Sequence, residues 1–180
     1  MLILSVCCFL ACLLLRSAWA KWRQPARFWV ILRHYPGGTW FQTPCQARLV
    51  PAAEISLALG LVWGGSVTAV ALLGALVFIG VGTVGIAWRL YHGETQFACG
   101  CGGNLEAEDS ALVSCTRNLC LLTMGMVTLL RLMATQAVVR LQPGDVAAGV
   151  ALLLAQELLM AAIVQEGRIR KWKAAGSPHT

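Results

Sequence analysis

Two cysteines stand one residue apart in the stretch FACGCGGN, residues 97–104. A pair at this spacing can close a small, strained disulfide, and strain makes such a bond more oxidising and easier to exchange. Gly100 permits the unusual backbone, and the two glycines after the pair let another chain approach closely. Cys99 and Cys101 are therefore candidates for a redox pair.

The same two thiols also suit a soft metal such as Cu(I) or zinc. One pair cannot fill a tetrahedral zinc site, so His92 and Cys45 would have to contribute ligands. A third interpretation is a flexible loop whose cysteines pack inertly against the membrane surface. The spacing of Cys99 and Cys101 alone leaves all three interpretations open.

Cys45 is the only other cysteine that lies clearly outside the apolar runs. Buried cysteines behave mostly as small hydrophobic residues, and five of the eight lie in or beside such runs. A disulfide relay usually needs another thiol to attack the first pair, so Cys45 is the candidate partner thiol. Two predicted spans separate Cys45 from Cys99 and Cys101, which places all three on one face of the membrane.

The composition indicates an integral membrane protein. Of the 180 residues, 58% are hydrophobic and only 12% are charged, whereas a soluble domain has about a quarter of its residues charged. The basic residues cluster beside apolar runs, where they anchor and orient helices. The formal net charge of +6 therefore indicates contact with a lipid bilayer and not with nucleic acid.

Five segments approach the length of about 20 apolar residues that a spanning helix needs. The predicted spans cover residues 2–20, 49–65, 67–88, 112–130 and 146–164. The first span lacks a basic start and is predicted to stay uncleaved. The fifth contains Gln156 and Glu157, and an interfacial helix is its alternative. We expect an all-α, polytopic helical bundle forming one transmembrane domain over residues 1–165, with a basic tail at 166–180.

The segment 21–48 between the first two spans is predicted to be an interfacial re-entrant segment. Its first part alternates basic with aromatic or aliphatic residues, which is typical of a helix lying among lipid headgroups. The prolines and glycines of YPGGTWFQTP then prevent regular helix.

Three polar residues of the second and fourth predicted spans are candidate intramembrane site residues, namely Glu54, Arg117 and Asn118. An ionisable group in the hydrocarbon costs several kcal/mol unless it is paired or hydrated, and it usually marks a functional site. A Glu54–Arg117 pair would stabilise both charges. The alternative is that both lie near the interface, extend towards water and set the depth of their helices.

Five short motifs follow one another between Lys21 and Cys120. They are Lys21 after the first span, FWVILRHY with the pattern F-x-x-x-L-x-x-Y, LVPAAEISLALGL with P-x-x-E, CGCGG with C-x-C-x-G, and RN in the fourth span. In this order and spacing they resemble the MauE family, within the wider DoxX-like group of four-helix membrane proteins. One position departs from the pattern, because Gly102 stands where the family usually has phenylalanine.

The resemblance implies a DoxX-like four-helix core, here with a fifth transmembrane helix. It also implies a role in the maturation of exported, disulfide-rich proteins, in the family the small subunit of methylamine dehydrogenase. Processing, transport and disulfide formation are the roles considered for the family. Mapped onto this chain, it makes Cys99 and Cys101 the redox pair and Glu54 and Arg117 intramembrane polar groups.

Two classes of function follow. In the first, Cys99 and Cys101 cycle between dithiol and disulfide, exchange with a thioredoxin-like protein or an exported client, and pass electrons to a membrane quinone. In the second, the chain is a non-catalytic membrane subunit or a metal-handling chaperone that holds Cu(I) or zinc through Cys99, Cys101 and His92. In both, we expect a multi-pass protein of the cell's inner membrane.

The distribution of basic residues conflicts with an oxidant of exported proteins. The positive-inside rule assigns loops rich in lysine and arginine to the cytoplasm. The loop 21–48 and the tail are both basic, and with five spans they share one face with Cys99 and Cys101. Glutathione would keep thiols on that face reduced. Either the first loop is bound to the membrane and misleads the rule, the span count is wrong, or the pair handles cytoplasmic thiols or metal.

Overall fold

The computed structural model describes residues 2–35, 40–93, 96–97, 109–135, 144, 147–152, 154–156, 158–159, 162 and 165. In chain order these residues form α1 (Leu2–Arg23), α2 (Pro25–Arg33), α3 (Pro44–Ala47), α4 (Leu49–Trp63), α5 (Gly65–Tyr91), β1 (Gln96–Phe97), β2 (Asp109–Ser110) and α6 (Ala111–Thr135). A shorter apolar helix, Ala147–Gln156, follows.

Four helices in the described part of the chain are long and apolar enough to cross a membrane. They cover Ile3–Arg23, Pro44–Trp63, Gly65–Tyr91 and Val113–Ala134. Large apolar side chains such as Leu59, Val70 and Leu73 lie exposed on α4 and α5, as lipid contact requires. The predicted class, a polytopic membrane bundle of helices, is confirmed.

The fifth predicted span, 146–164, falls on a part of the chain that the structure describes incompletely. The helix Ala147–Gln156 is shorter than a spanning helix, and Glu157 lies outside the described residues. Gly149 packs directly against Cys8 and Phe9 of α1, so this helix covers α1. A complete fifth span stays a prediction.

α1 is the most buried of the four long helices. Its Leu10 and Leu14 are buried together with Leu61 of α4 and Leu72 of α5 in one hydrophobic core. α4 and α5 form an antiparallel hairpin because Gly64 and Gly65 turn the chain with φ of 96° and 64°, values that glycine adopts without steric cost.

α2 and α3 connect α1 to α4, which pack directly on each other, and lie against the ends of these two helices. Pro25 starts α2, and Phe28 is buried against Ala47 of α3. The indole N–H of Trp29 donates to the carbonyl of Phe41 at 2.8 Å. Thr43 and Gln46 form a capping box that starts α3 and leads the chain into α4. The segment therefore folds back onto the bundle.

β1 and β2 pair antiparallel, with Gln96 opposite Ser110 and Phe97 opposite Asp109. The chain between α5 and α6 consequently leaves and returns at one point. Cys99 and Cys101 belong to the intervening segment, which lies outside the described residues.

The segments that connect α1 to α4 and α5 to α6 lie at one end of the bundle, which we call the site end. It comprises the last turns of α1 and α5, the first turns of α4 and α6, α2, α3 and the β1–β2 ladder. Cys45, in α3, is exposed there. The structure thus places Cys45 at the same end as the ladder that flanks the Cys99–Cys101 segment.

Candidate functional site

A buried ion pair joins α1 to α4 near the site end. The ammonium of Lys21 contacts Oε1 of Glu54, and the hydroxyl of Ser17 donates to the same oxygen at 3.1 Å. Lys21 is 3% exposed and Glu54 is 1% exposed. Both charges are therefore held inside the bundle, away from the lipid.

Local sequence explains how the pair is positioned. Ser17 and Lys21 are four residues apart, so they lie on one face of α1. Glu54 follows Pro51 by three residues in the first turns of α4. Burying each ion costs several kcal/mol, which mutual attraction and added hydrogen bonds must offset.

Aromatic rings complete the surroundings of the ammonium group. Nζ of Lys21 lies 5.2 Å from the centroid of the Phe28 ring and 5.7 Å from that of Phe78. Within about 6 Å a cation is attracted to the negative face of a ring, more strongly when it is desolvated. α2 and α5 thus both stabilise the Lys21 charge.

The partner of Glu54 is Lys21 and not Arg117. The 1% exposure of Glu54 also excludes a side chain that extends to the interface. Arg117 is half-buried on α6, and its Nε has no hydrogen-bond partner among the described residues. Lys21, which resembles a basic anchor at the end of a span, is instead part of the site.

A cavity of about 580 Å³ lies beside the ion pair, within the size range of small-molecule sites. Its walls are mostly apolar. The polar side chains on it come from Ser17, Lys21, Glu54, Asn118 and Tyr35. Asn118, one of the predicted intramembrane polar residues, is 3% exposed and reaches the cavity from α6.

One face of α2 and the residues after it form an aromatic wall of the cavity. Phe28, Leu32 and Tyr35 all line it, and their spacing of four and then three residues places them on one helix face. The Tyr35 ring rests against Gly85 of α5, where any Cβ would clash with it. The guanidinium of Arg89 lies 5.9 Å from the centre of the same ring.

The cavity lies in the half of the bundle nearest the site end and reaches the lipid-facing surface. Gly85 lines it and precedes the end of α5 by six residues, about 9 Å of helix. Val81 and Val84 also line it, although they are 68% and 67% exposed. A molecule dissolved in the bilayer could therefore enter from the side.

The structure tests the predicted thiol and metal residues only in part. Cys99 and Cys101 lie outside the described residues. His92, at the end of α5, hydrogen-bonds through Nδ1 to the carbonyl of Trp88 at 2.8 Å. No cluster of three His, Cys, Asp or Glu side chains suited to a metal occurs in the described part of the chain. The set Cys99, Cys101 and His92 stays a prediction.

Six residues from the motifs noted in the sequence meet at one cavity. They are Lys21, Phe28, Leu32, Tyr35, Glu54 and Asn118. Sequence reasoning proposed only Glu54 and Asn118 of these as site residues and missed Ser17. Two helical spacings, Ser17 to Lys21 and Phe28 to Leu32 to Tyr35, were the signals that could have found the others.

Removing one partner of the ion pair should destabilise the fold more than removing both. Lys21→Met leaves the Glu54 carboxylate buried without a counter-charge, and we expect it to lower the free energy of unfolding by about 3–5 kcal/mol. Lys21→Met with Glu54→Leu should recover most of that loss. Unfolding in detergent measures both, with Arg23→Met, an exposed change on the same helix, as control. Equal losses in the single and double variants would contradict the prediction.

Adding one methyl group at Gly85 should displace Tyr35. We expect Gly85→Ala to destabilise the protein by about 1–3 kcal/mol, the usual cost of overpacking. Gly80→Ala is the matched control on α5, because a Cβ there meets nothing within 4 Å. It should be neutral or stabilising by up to about 1 kcal/mol, since alanine is the better helix former. Thermal unfolding of the two variants measures the difference in stability. Equal melting temperatures would refute the contact between the Tyr35 ring and Gly85.

The model of one protein family, Methylamine utilisation protein MauE, matches residues 1–132. This range contains α1 to α5, most of α6 and every residue of the ion pair and cavity described above. No curated protein and no solved structure matches the chain, and the wider DoxX-like grouping stays a prediction. The match covers well over half of the chain, which therefore belongs to the MauE family.

Proposed function

We propose that this protein supports thiol–disulfide chemistry of exported proteins through Cys99 and Cys101, in the cell's inner membrane. One observation carries the proposal: a buried ion pair and a cavity lie at the end of the bundle where β1 and β2 flank the segment bearing both cysteines. Helices that only span the membrane need no buried ion pair, because a buried charge is costly in a bilayer. Membership of the MauE family is consistent with this role.

The proposed exchange conserves atoms and electrons. A client thiolate attacks one sulfur of the Cys99–Cys101 disulfide, which forms a mixed disulfide and releases the other sulfur as a thiolate. The second client thiol then displaces the remaining protein sulfur. The client gains a disulfide, and Cys99 and Cys101 take up its two electrons and two protons.

Cys45 is the proposed partner thiol in this relay. It is exposed in α3 at the site end, and the capping box of Thr43 and Gln46 fixes the turn that presents it. A thiolate at Cys45 would attack the disulfide of Cys99 and Cys101 in place of a client thiolate, and a thioredoxin-like protein or the client would then resolve it.

A further cycle requires an acceptor for two electrons. We propose a membrane quinone, which takes up two electrons and two protons as Cys99 and Cys101 return to the disulfide. The client class is an exported, disulfide-rich protein, of which the small subunit of methylamine dehydrogenase is the example that the family resemblance suggests.

We propose the outer face of the membrane for the site end, against the positive-inside count. Lys21 is neutralised by Glu54. Arg23 and Arg33 lie over tryptophan rings, 4.8 Å from the centre of Trp19 and 5.2 Å from that of Trp29. We propose that these basic side chains serve as packing groups of a membrane-bound segment. They would then not act as the signal that keeps a basic loop in the cytoplasm.

Sidedness and redox state can be tested together. In a variant that keeps only Cys99 and Cys101, with the other six cysteines replaced by alanine, intact cells are labelled with a membrane-impermeant maleimide. We expect labelling only after reduction, because an external disulfide has no free thiol. The matched control keeps only Cys45. With no second cysteine in the chain this thiol stays free, and we expect it to label on the same outer face without reduction.

Protection of both thiols in intact cells, with labelling only after lysis, would overturn the exported-protein role. Metal content of the purified protein provides the second readout. Stoichiometric Cu or Zn that is lost in Cys99→Ser would identify the metal-handling alternative, whereas a disulfide without metal supports the redox role.

A further inference from the structure

One buried oxygen of the site lacks a partner. Oε1 of Glu54 accepts from Lys21 and Ser17, but Oε2 has no hydrogen-bond partner among the described residues. Leaving a buried charged acceptor unpaired is costly. Because Glu54 lines the cavity, a ligand in the cavity with a hydroxyl or amine group could supply the missing donor.

The walls of the cavity suit a flat ring. Phe28 and Tyr35 line one side and Phe78 of α5 another, and aromatic rings prefer to pack offset or edge to face against one another. A volume of about 580 Å³ accommodates a substituted six-membered ring and the first part of a chain, in the range typical of small-ligand sites.

Access through Val81 and Val84 selects a ligand that is dissolved in the bilayer. Both residues line the cavity and face outward. A lipid acyl chain would fill the apolar space but would leave Oε2 of Glu54 without a donor. A phospholipid phosphate would bring a second negative charge next to Glu54, whose counter-charge, Lys21, is already engaged.

We infer that this cavity binds the head group of a membrane quinone, with a hydroxyl of its reduced form donating to Oε2 of Glu54. The isoprenoid chain leaves past Val81 and Val84 into the lipid. The binding site stands on geometry alone, whereas its role as the electron acceptor rests on the proposed function.

The redox step balances between the two sites. Cys99 and Cys101 lose two S–H bonds and form one S–S bond. The two electrons and two protons released convert the two ring carbonyls of the quinone into hydroxyls. The carboxylate of Glu54 is positioned to accept a hydrogen bond from one of these hydroxyls, which favours the reduced product.

Binding is tested on the whole chain in lipid nanodiscs under anaerobic conditions, with a short-chain ubiquinol analogue as the probe, because the reduced form carries the hydroxyl that donates to Oε2 of Glu54. The chain carries Cys99→Ser and Cys101→Ser, so that binding is measured without turnover. We expect saturable binding by calorimetry. Gly80→Leu should weaken it at least 10-fold, since Gly80 lines the cavity and has open space for a side chain. Val70→Leu, on exposed α5 surface outside the cavity, should stay within 2-fold.

Glu54→Gln tests the polar contact separately, because it keeps the volume and weakens the acceptor. We expect at least 5-fold weaker binding, in protein whose melting temperature is checked in parallel. Where Glu54→Gln fails to fold, Gly80→Leu alone decides. Binding that does not saturate, or that Gly80→Leu leaves equal to Val70→Leu, would overturn the inference.

The outcome is separable from that of the proposed function. A redox-active pair on the outer face without quinone binding would leave the thiol chemistry standing and remove this site. Saturable binding together with cysteines that stay reduced would keep the site and remove its role as electron acceptor. Co-purified phospholipid that excludes the quinol analogue would identify a lipid site and refute the inference.

Discussion

The burial of Glu54 is the constraint on which the rest of this structure depends. A carboxylate inside a membrane bundle needs a counter-charge, and Lys21 in the last turns of α1 supplies it. Lys21 therefore fixes the register of α1 against α4. Ser17 shares the same oxygen, so three side chains define one junction at the site end.

The segment 21–48, predicted to lie at the membrane interface, serves this junction. An amphipathic helix that only lies among headgroups would turn its aromatic residues towards the lipid. α2 instead buries Phe28, which approaches the ammonium of Lys21. The Trp29–Phe41 hydrogen bond and the capping box of Thr43 hold the return of the chain. The segment thus shields the ion pair from water and builds one wall of the cavity.

Hydropathy and length were enough to predict the helical membrane class, because each span is encoded locally. Glu54 and Asn118 could be proposed as site residues since a polar group within an apolar run stands out. Their partners could not be predicted, because pairing is a tertiary property. Lys21 lies at a helix end, where a lysine ordinarily anchors, and Arg117 was an equally good partner for Glu54 by sequence. Likewise, Gly85 acquires its role only from the ring of Tyr35, 50 positions away in the chain.

The absence of an aromatic residue at position 102 bears differently on the two proposed activities. If the phenylalanine usual in the family packed a ligand, Gly102 would weaken ligand binding. Here the aromatic walls of the cavity come from α2, α5, Tyr35 and Phe41, so a ring held there does not depend on position 102. The proposed thiol exchange, in contrast, would gain from glycine beside Cys101, since a residue without a side chain lets a client approach the sulfur. Glycine at position 102 therefore bears on the proposed thiol exchange and not on ligand binding in the cavity.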